Sequence, residues 1–344
     1  MHGMKLILND DINAYLRRCR TNLSDERLNR FLDRKVTPGN ESAVQKALKK
    51  AGSPEFQGSP DTWPSLFLSV EDWMESPYHK AITAKLSEHG SYSREVFLGR
   101  RLFNADAVQP DPAKELGDWM KLRALDQNAE TLVLTDGEIE WMLDAPSEAA
   151  TNDPYARKAH GNVITFGLGI GYFLFMALLN PAVNHVTVIE QNEAIIETFR
   201  SVFLPLFPSP EKITIRCADA YDVWQAESLS DFDYIYADIW QSGDDGLFAM
   251  QRLLRQYQPP LENADFWIED SCVVPLRTLI YLHYEELAHG KKQPVSPDYE
   301  PLMDQVRAWF AQEEITVDSP EPLKQYMYDR AVLRKILGGR AHAR

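Results

Sequence analysis

Residues 163–171 read Val-Ile-Thr-Phe-Gly-Leu-Gly-Ile-Gly, an apolar strand pattern that runs directly into three glycines at alternate positions. A second apolar run, Val186-Thr-Val-Ile, ends in Glu190, nineteen residues beyond the last of these glycines. A strand, a glycine turn, a helix and a second strand that ends in an acid are typical of a βαβ unit that binds a nucleoside.

The spacing of the glycines indicates which kind of nucleoside is bound. The dinucleotide fingerprint G-x-G-x-x-G would place its third glycine where this chain has Tyr172. The pattern present is G-x-G-x-G, at Gly167, Gly169 and Gly171. We expect Gly167 to allow a sharp turn, and Gly169 and Gly171 to leave room for a ligand against the backbone. Tight packing between strand and helix is the alternative that glycine would also serve.

Strands and helices alternate along the chain from residue 162 onward. The predicted strands are 163–166, 186–190, 213–217, 233–239 and 264–268, and the predicted helices are 171–180, 192–203, 220–227 and 245–256. This alternation predicts an α/β fold with a doubly wound, mainly parallel, Rossmann-like sheet. Ligands of such sheets lie outside the carboxyl ends of the strands.

The chain before this sheet is predicted to be a mostly helical N-terminal region, residues 1–125. Its helical periodicity lies at 11–20, 24–34 (begun by an N-cap at Ser24), 77–89 and 92–103. Alternating polarity on both sides of Asp136-Gly137 then predicts a β-hairpin. Residues 126–344 are predicted to be the nucleoside-binding domain with a helical C-terminal extension, which includes one further strand at 314–317.

Acidic residues follow the second and third predicted strands. Glu190 ends the second strand, and its two oxygens suit the two hydroxyls of a ribose. Asp219 follows the third strand, where it would accept a hydrogen bond from an adenine amino group. The neighbouring backbone at Ala220 would contact the edge of the adenine ring. Capping of the helix at 220–227 is the alternative role for Asp219.

Asp238 and Trp240 close the fourth strand, where a transferred group and its acceptor would meet. Asp238 would orient or deprotonate a nucleophile, and Trp240 would pack on the acceptor or face a positively charged ligand atom. A salt-bridged acid and a core tryptophan are the alternatives. Tyr172 would touch the ligand or pack beneath it. Glu148 is interpreted as an acid in a surface loop in preference to a lid over the site.

The formal net charge of −15 limits the partners of the protein. An acidic surface repels phosphate backbones and anionic lipid, so we expect neither a nucleic acid nor a membrane partner. The three cysteines are far apart, and neither they nor the histidines show metal-ligand spacing, so we expect no metal and a reducing compartment. Without a signal segment or an apolar run of membrane-spanning length, a cytoplasmic location is expected.

Residues 161–240 resemble the cofactor-binding half of the class I S-adenosylmethionine (SAM)-dependent methyltransferases. The motifs occur in the order of that family, at Gly167, Gly169, Gly171, Glu190, Asp219 and Asp238. The resemblance implies bound SAM, with its methionine part at the glycine loop, its ribose on Glu190 and its adenine at Asp219. Many members carry an acid where this chain has Thr165, so the contact to the amino group of SAM must come from elsewhere.

The predicted function is a SAM-dependent methyltransferase with a small-molecule acceptor, and a homodimer is an assembly that the sequence allows without specifying it. Nine acids against two arginines between residues 231 and 270 favour an amine-bearing acceptor, or simply a solvated acidic face. The glycine loop and residues 186–190 are also similar to spermidine synthases, so an aminopropyltransferase that uses decarboxylated SAM is the alternative. The acid-rich signature of those enzymes is not matched beyond Asp238. A SAM-binding protein without catalytic activity is the third hypothesis.

Overall fold

The computed structural model describes residues 3–23, 27–83, 90–136 and 139–339. The α-helices are α1 Asp10–Asn22, α2 Glu41–Lys50, α3 Val70–Met74, α4 Pro77–Ala81, α5 Pro146–Lys158, α6 Tyr172–Leu179, α7 Glu193–Thr198, α8 Ala220–Val223, α9 Ala226–Leu229, α10 Gly243–Gln256, α11 Glu269–Cys272, α12 Val274–His289, α13 Glu300–Phe310, α14 Pro320–Tyr328 and α15 Arg330–Gly338. The strands are β1 Lys5–Leu6, β2 Phe67–Leu68, β3 Tyr92–Phe97, β4 Phe103–Asn104, β5 Gln109–Pro110, β6 Asp118–Trp119, β7 Leu122–Leu125, β8 Ala129–Asp136, β9 Ile139–Leu143, β10 Gly161–Phe166, β11 Val183–Glu190, β12 Ile213–Cys217, β13 Tyr234–Ala237, β14 Ala264–Phe266 and β15 Thr316–Val317.

A five-stranded parallel sheet organises the second half of the chain, with strand order β12-β11-β10-β13-β14. Each strand predicted for this sheet is present, and all neighbouring pairs are parallel. The α/β class and the parallel sheet are therefore confirmed. Because β10 lies between β11 and β13, the strand order reverses there, and such a reversal opens a crevice at the carboxyl ends of the strands.

The central strands of the sheet are buried on both faces, because their side chains alternate between two hydrophobic cores. In β13, Ile235 and Ala237 join one core with α10, α12 and α13, whereas Tyr234 and Tyr236 join a second core with α6 and residue Phe203. This alternation follows from the two-residue period of a strand. Parallel sheets with helices on both faces require such apolar strands.

The N-terminal region contains strands as well as helices, contrary to the mostly helical prediction. The helix predicted at 92–103 is wrong, because Tyr92–Phe97 forms β3 and pairs antiparallel with β8. The predicted hairpin is confirmed, since β8 and β9 pair antiparallel, although Gly137 lies outside the described residues. The N-cap predicted at Ser24 also lies outside them.

The first helix packs against the last part of the chain. Strand β1 pairs in parallel with β15, and α1 contacts α12 and α14. The hydroxyl of Tyr15 in α1 donates a 3.2 Å hydrogen bond to the sulfur of Met327. Helix α1 thus shares a core with the C-terminal helices, although it precedes the boundary predicted at residue 125. In the described part of the chain, every helix is too short or too polar to cross a bilayer.

A buried ion network joins β14 and α11 to α15. Glu269 is 3% exposed and accepts hydrogen bonds from Arg334 Nε at 2.7 Å and from Arg330 Nε at 2.9 Å. Asp265 accepts further bonds from Arg330 and from the hydroxyl of Tyr234. Although burial alone would raise the pKa of Glu269, the bonds from Arg334 and Arg330 lower it. The carboxylate is therefore ionised in the folded protein.

We expect Glu269→Gln to lower the free energy of unfolding by about 3–5 kcal/mol, because Arg334 would stay buried without its counter-charge. Urea unfolding measures the loss. Glu262→Gln, at an exposed position before β14, is the control and should change stability by less than about 0.5 kcal/mol. Equal stability of the two variants would contradict the role given to the network.

Candidate functional site

A cavity of about 650 Å³ lies at the carboxyl ends of the parallel strands and is covered by β9 and the first turn of α5. Its volume falls within the range of small-molecule sites, about 300–1,000 Å³. Most residues predicted for the site line it: Gly167, Gly169, Tyr172, Glu190, Asp219, Ala220, Asp238 and Trp240. Gly171 lies behind this wall, at the start of α6.

The glycine loop between β10 and α6 is shaped by contacts within the protein. All three glycines have positive φ, and a Cβ on Gly167 would lie 1.9 Å from the carbonyl oxygen of Asp238. A Cβ on Gly171 would lie 2.8 Å from the ring of Phe207, and one on Gly169 would lie 2.7 Å from the sulfur of Met142. Protein packing, the alternative named for these glycines, therefore accounts for their lack of side chains.

The polar backbone groups of the loop are bonded by side chains from three other elements. The Leu168 N–H donates to Glu190 Oε2 over 3.1 Å. The Gly169 carbonyl accepts a 2.9 Å bond from the hydroxyl of Tyr92 in β3, and the next carbonyl accepts a 2.8 Å bond from Tyr78 in α4. The N-terminal region thus holds the loop, a role that the sequence did not indicate.

Glu190 lies at the end of β11 with both carboxylate oxygens in use. Oε2 accepts the bond from the loop, and Oε1 accepts a 2.8 Å bond from the N–H of Asn192, the N-cap of α7. A carboxylate oxygen offers two lone-pair sites, so each oxygen can accept one more bond from a ligand in the cavity. Glu190 therefore serves the loop and remains available to a ligand.

Asp219 caps α8, the alternative role named for it. Its Oδ1 accepts a 2.8 Å bond from the N–H of Tyr221, while Oδ2 has no hydrogen-bond partner within the described residues. Ala220 follows in the cavity wall beside Tyr221, and the guanidinium of Arg252 lies 3.5 Å from the centre of the Tyr221 ring. One oxygen of Asp219 is thus free for a ligand.

Asp238 and Glu148 form a pair of carboxyl groups in the cavity wall. The side chain of Asp238 has no hydrogen-bond partner among the described residues, and burial raises its pKa to about 8. Glu148 is 7% exposed, and burial together with the negative charge of Asp238 raises its pKa well above the ordinary range. The pair therefore retains a proton at neutral pH. The surface-loop prediction for Glu148 is wrong, because this residue lies in the first turn of α5.

Helix α5 fixes Glu148 and the aromatic side of the cavity. Glu148 Oε1 accepts a 2.8 Å bond from Asn152 Nδ2, one turn further along the helix. Three consecutive residues of α5 then bond three aromatic side chains of the wall, at distances of 2.9, 2.8 and 3.0 Å: Thr151 to Trp267, Asn152 to Tyr236, and Asp153 to Tyr172. The acid and the aromatic rings are therefore positioned by one rigid element.

Trp240 is mainly a core residue, the alternative named for it. It is 4% exposed and packs on Phe266, with 6.2 Å between the ring centres. A Cβ on Gly246 of α10 would lie 2.9 Å from its indole nitrogen. Part of Trp240 still reaches the cavity, where it forms a wall beyond Asp238.

The lining of the cavity is acidic. It contains five acidic side chains, at Glu140, Glu148, Glu190, Asp219 and Asp238, and the described residues contribute no lysine, arginine or histidine to it. Such a site attracts a cationic ligand and repels phosphates. Among the described residues there is also no group of three side chains suited to a metal ion.

Comparison of the chain with protein-family models and with curated proteins gives no match. The assignment of a function therefore depends on the geometry and chemistry of the cavity.

We expect Asp238→Asn to stabilise the free protein, and to do so more at pH 8.5 than at pH 5. An unfolded aspartate loses its proton near its ordinary pKa of 3.8, whereas the folded one keeps it up to about pH 8. The wild-type protein therefore loses stability as the pH rises between these values. The difference in gain between the two pH values should be roughly 2–4 kcal/mol.

Urea unfolding at both pH values measures this gain. Asp231→Asn, at an exposed position before β13, serves as the control and should show no such dependence on pH. An equal gain for Asp238→Asn at pH 5 and pH 8.5 would count against the burial of this carboxyl group.

Proposed function

We propose that the chain is a SAM-dependent methyltransferase that acts on a small-molecule acceptor. The observation that carries this proposal is an acidic cavity at the carboxyl ends of a parallel sheet, to which the described residues contribute no basic side chain. SAM is a nucleoside that carries a positively charged sulfur, so this cavity suits it. A dinucleotide would bring a pyrophosphate into this acidic cavity, and the repulsion between like charges disfavours it.

We assign the parallel sheet to the Rossmann-like methyltransferase fold as part of this proposal. The strand order β12-β11-β10-β13-β14 supports the assignment, because it places the crevice beside β10. The glycine turn after β10 and the acids after β11, β12 and β13 lie at this same edge of the sheet. The arrangement fits a nucleoside laid across the ends of β10 and β11.

The residues present offer a contact to each part of SAM. Glu190 retains acceptor sites for the ribose hydroxyls, and Asp219 Oδ2 is free for the adenine amino group. Gly167 and Gly169 present bare backbone to the cavity, where the methionine part would lie beside Tyr172. Asp238, in the same cavity wall, is the acid that we propose to lie beside the transferred methyl group.

When bound, SAM supplies a methyl carbon activated by the positively charged sulfur. The aromatic wall and the bonded glycine loop hold both reactants and exclude water, and such alignment contributes several kcal/mol to the rate. Burial keeps Asp238 protonated in the free protein at neutral pH, and the positively charged sulfur of a bound donor would favour its ionised form. The ionised carboxylate would take up the proton that the acceptor loses as its lone pair bonds to the methyl carbon and the carbon–sulfur bond breaks.

One observation favours the aminopropyltransferase as a second candidate. The described lining lacks a basic side chain that would pair with the carboxylate of SAM, and decarboxylated SAM has no such group. A binding protein without catalysis is less favoured, because the space beside Asp238 and Glu148 is open.

We expect Glu190→Ala to weaken SAM binding at least 100-fold, because the change removes acceptors for the ribose and releases the Leu168 N–H. Titration calorimetry measures the affinity. Glu193→Ala, at an exposed acid in the first turn of α7, is the matched control and should bind SAM like the wild type. Unchanged affinity in a folded Glu190→Ala variant would refute the proposed donor site.

The two candidate activities are separated by titration with SAM and with decarboxylated SAM. For a methyltransferase we expect the wild type to bind SAM at least tenfold more tightly, and to form S-adenosylhomocysteine in a screen of small-molecule acceptors. The reverse preference, with methylthioadenosine as the product, would establish the aminopropyltransferase instead.

A further inference from the structure

We infer that Glu148 and Asp238 together form a binding site for one ammonium group inside the cavity. The inference rests on the proposed function, because the ammonium would belong either to the amino acid part of the donor or to an amine acceptor. Neither source changes the chemistry of the site. Glu148, predicted from the sequence to lie in a surface loop, thereby gains a role in binding.

The two carboxyl groups come from different elements and meet in one cavity wall. Glu148 extends from the first turn of α5, and Asp238 follows the carboxyl end of β13. Asn152 links them, because it bonds Glu148 Oε1 and accepts a bond from the hydroxyl of Tyr236, two residues before Asp238. The site therefore exists only where α5 is packed against the end of the sheet.

The acceptors of this pair are not satisfied by the protein. Glu148 is more than nine-tenths buried, yet among the described residues only its Oε1 has a partner, Asn152. In the same part of the chain, neither side-chain oxygen of Asp238 accepts a hydrogen bond. Because both residues line the cavity, a ligand that donates to these oxygens gains hydrogen bonds that the protein does not supply.

An ammonium group matches these acceptors better than other cations do. It carries three N–H donors and a positive charge, so it can bond both carboxylates at once. Tyr172 and Trp267 line the same wall, and an aromatic ring near the bound group favours a cation over a neutral donor. A metal ion would require more oxygen ligands than the described residues bring together.

Calorimetric titration of Glu148→Gln tests the inference with three probes. S-Adenosylhomocysteine carries the donor's ammonium group, methylthioadenosine lacks it, and n-butylamine is added to the protein saturated with S-adenosylhomocysteine. Glu193→Gln, which alters an exposed acid outside the cavity lining, is the control. Asp238→Asn is the second variant, and it keeps the test valid if Glu148→Gln does not fold.

If the ammonium is the donor's, both variants bind S-adenosylhomocysteine at least tenfold more weakly and methylthioadenosine within twofold of the wild type. If it is the acceptor's, both nucleosides bind normally, and n-butylamine binds to the wild type but not to the variants. Either result supports the inference.

The inference is overturned if the variants bind both nucleosides as the wild type does and n-butylamine binds equally or to none of the proteins. A wild type that binds neither nucleoside would instead refute the proposed function, and the inference with it.

Discussion

The loop between β10 and α6 must find partners for backbone groups that neither the strand nor the helix can bond. Its N–H at Leu168 is bonded by Glu190, and its carbonyls are bonded by Tyr92 and Tyr78. These three side chains come from β11, β3 and α4, which are far apart in the sequence. The floor of the cavity therefore has its shape only when the N-terminal region is packed on the sheet.

The pair of Glu148 and Asp238 shows a conflict between stability and binding. Burial raises the pKa of both carboxyl groups, so their position in the wall lowers the stability of the folded protein at neutral pH. Asn152 donates a hydrogen bond to only one oxygen of Glu148, and its own side-chain oxygen accepts a bond from the hydroxyl of Tyr236. A structure selected for stability alone would place apolar side chains at these positions, and departures of this kind are expected at functional sites.

The sequence predicted the features that depend on neighbouring residues. The apolar run of β10, its glycines and the acids Glu190 and Asp238 are local signals, and the structure brings them to one cavity. Features that depend on distant packing were missed. Tyr92–Phe97 is a strand because β8 pairs with it, and Glu148 is buried because α5 lies against the sheet. The methyl donor and the acceptor remain predictions, since the fold alone does not select them.

The packing of α1 against the C-terminal helices has a consequence for synthesis of the chain. Tyr15 and Met327, which are bonded in the folded protein, are 312 positions apart. At 5–20 residues per second, the ribosome needs about 15–60 s to make the intervening chain. During that time the apolar face of α1 has no partner surface, although its Ile12 and Leu16 are buried once α12 and α14 have formed. The apolar face of α1 therefore stays exposed to solvent on the nascent chain until these last helices emerge.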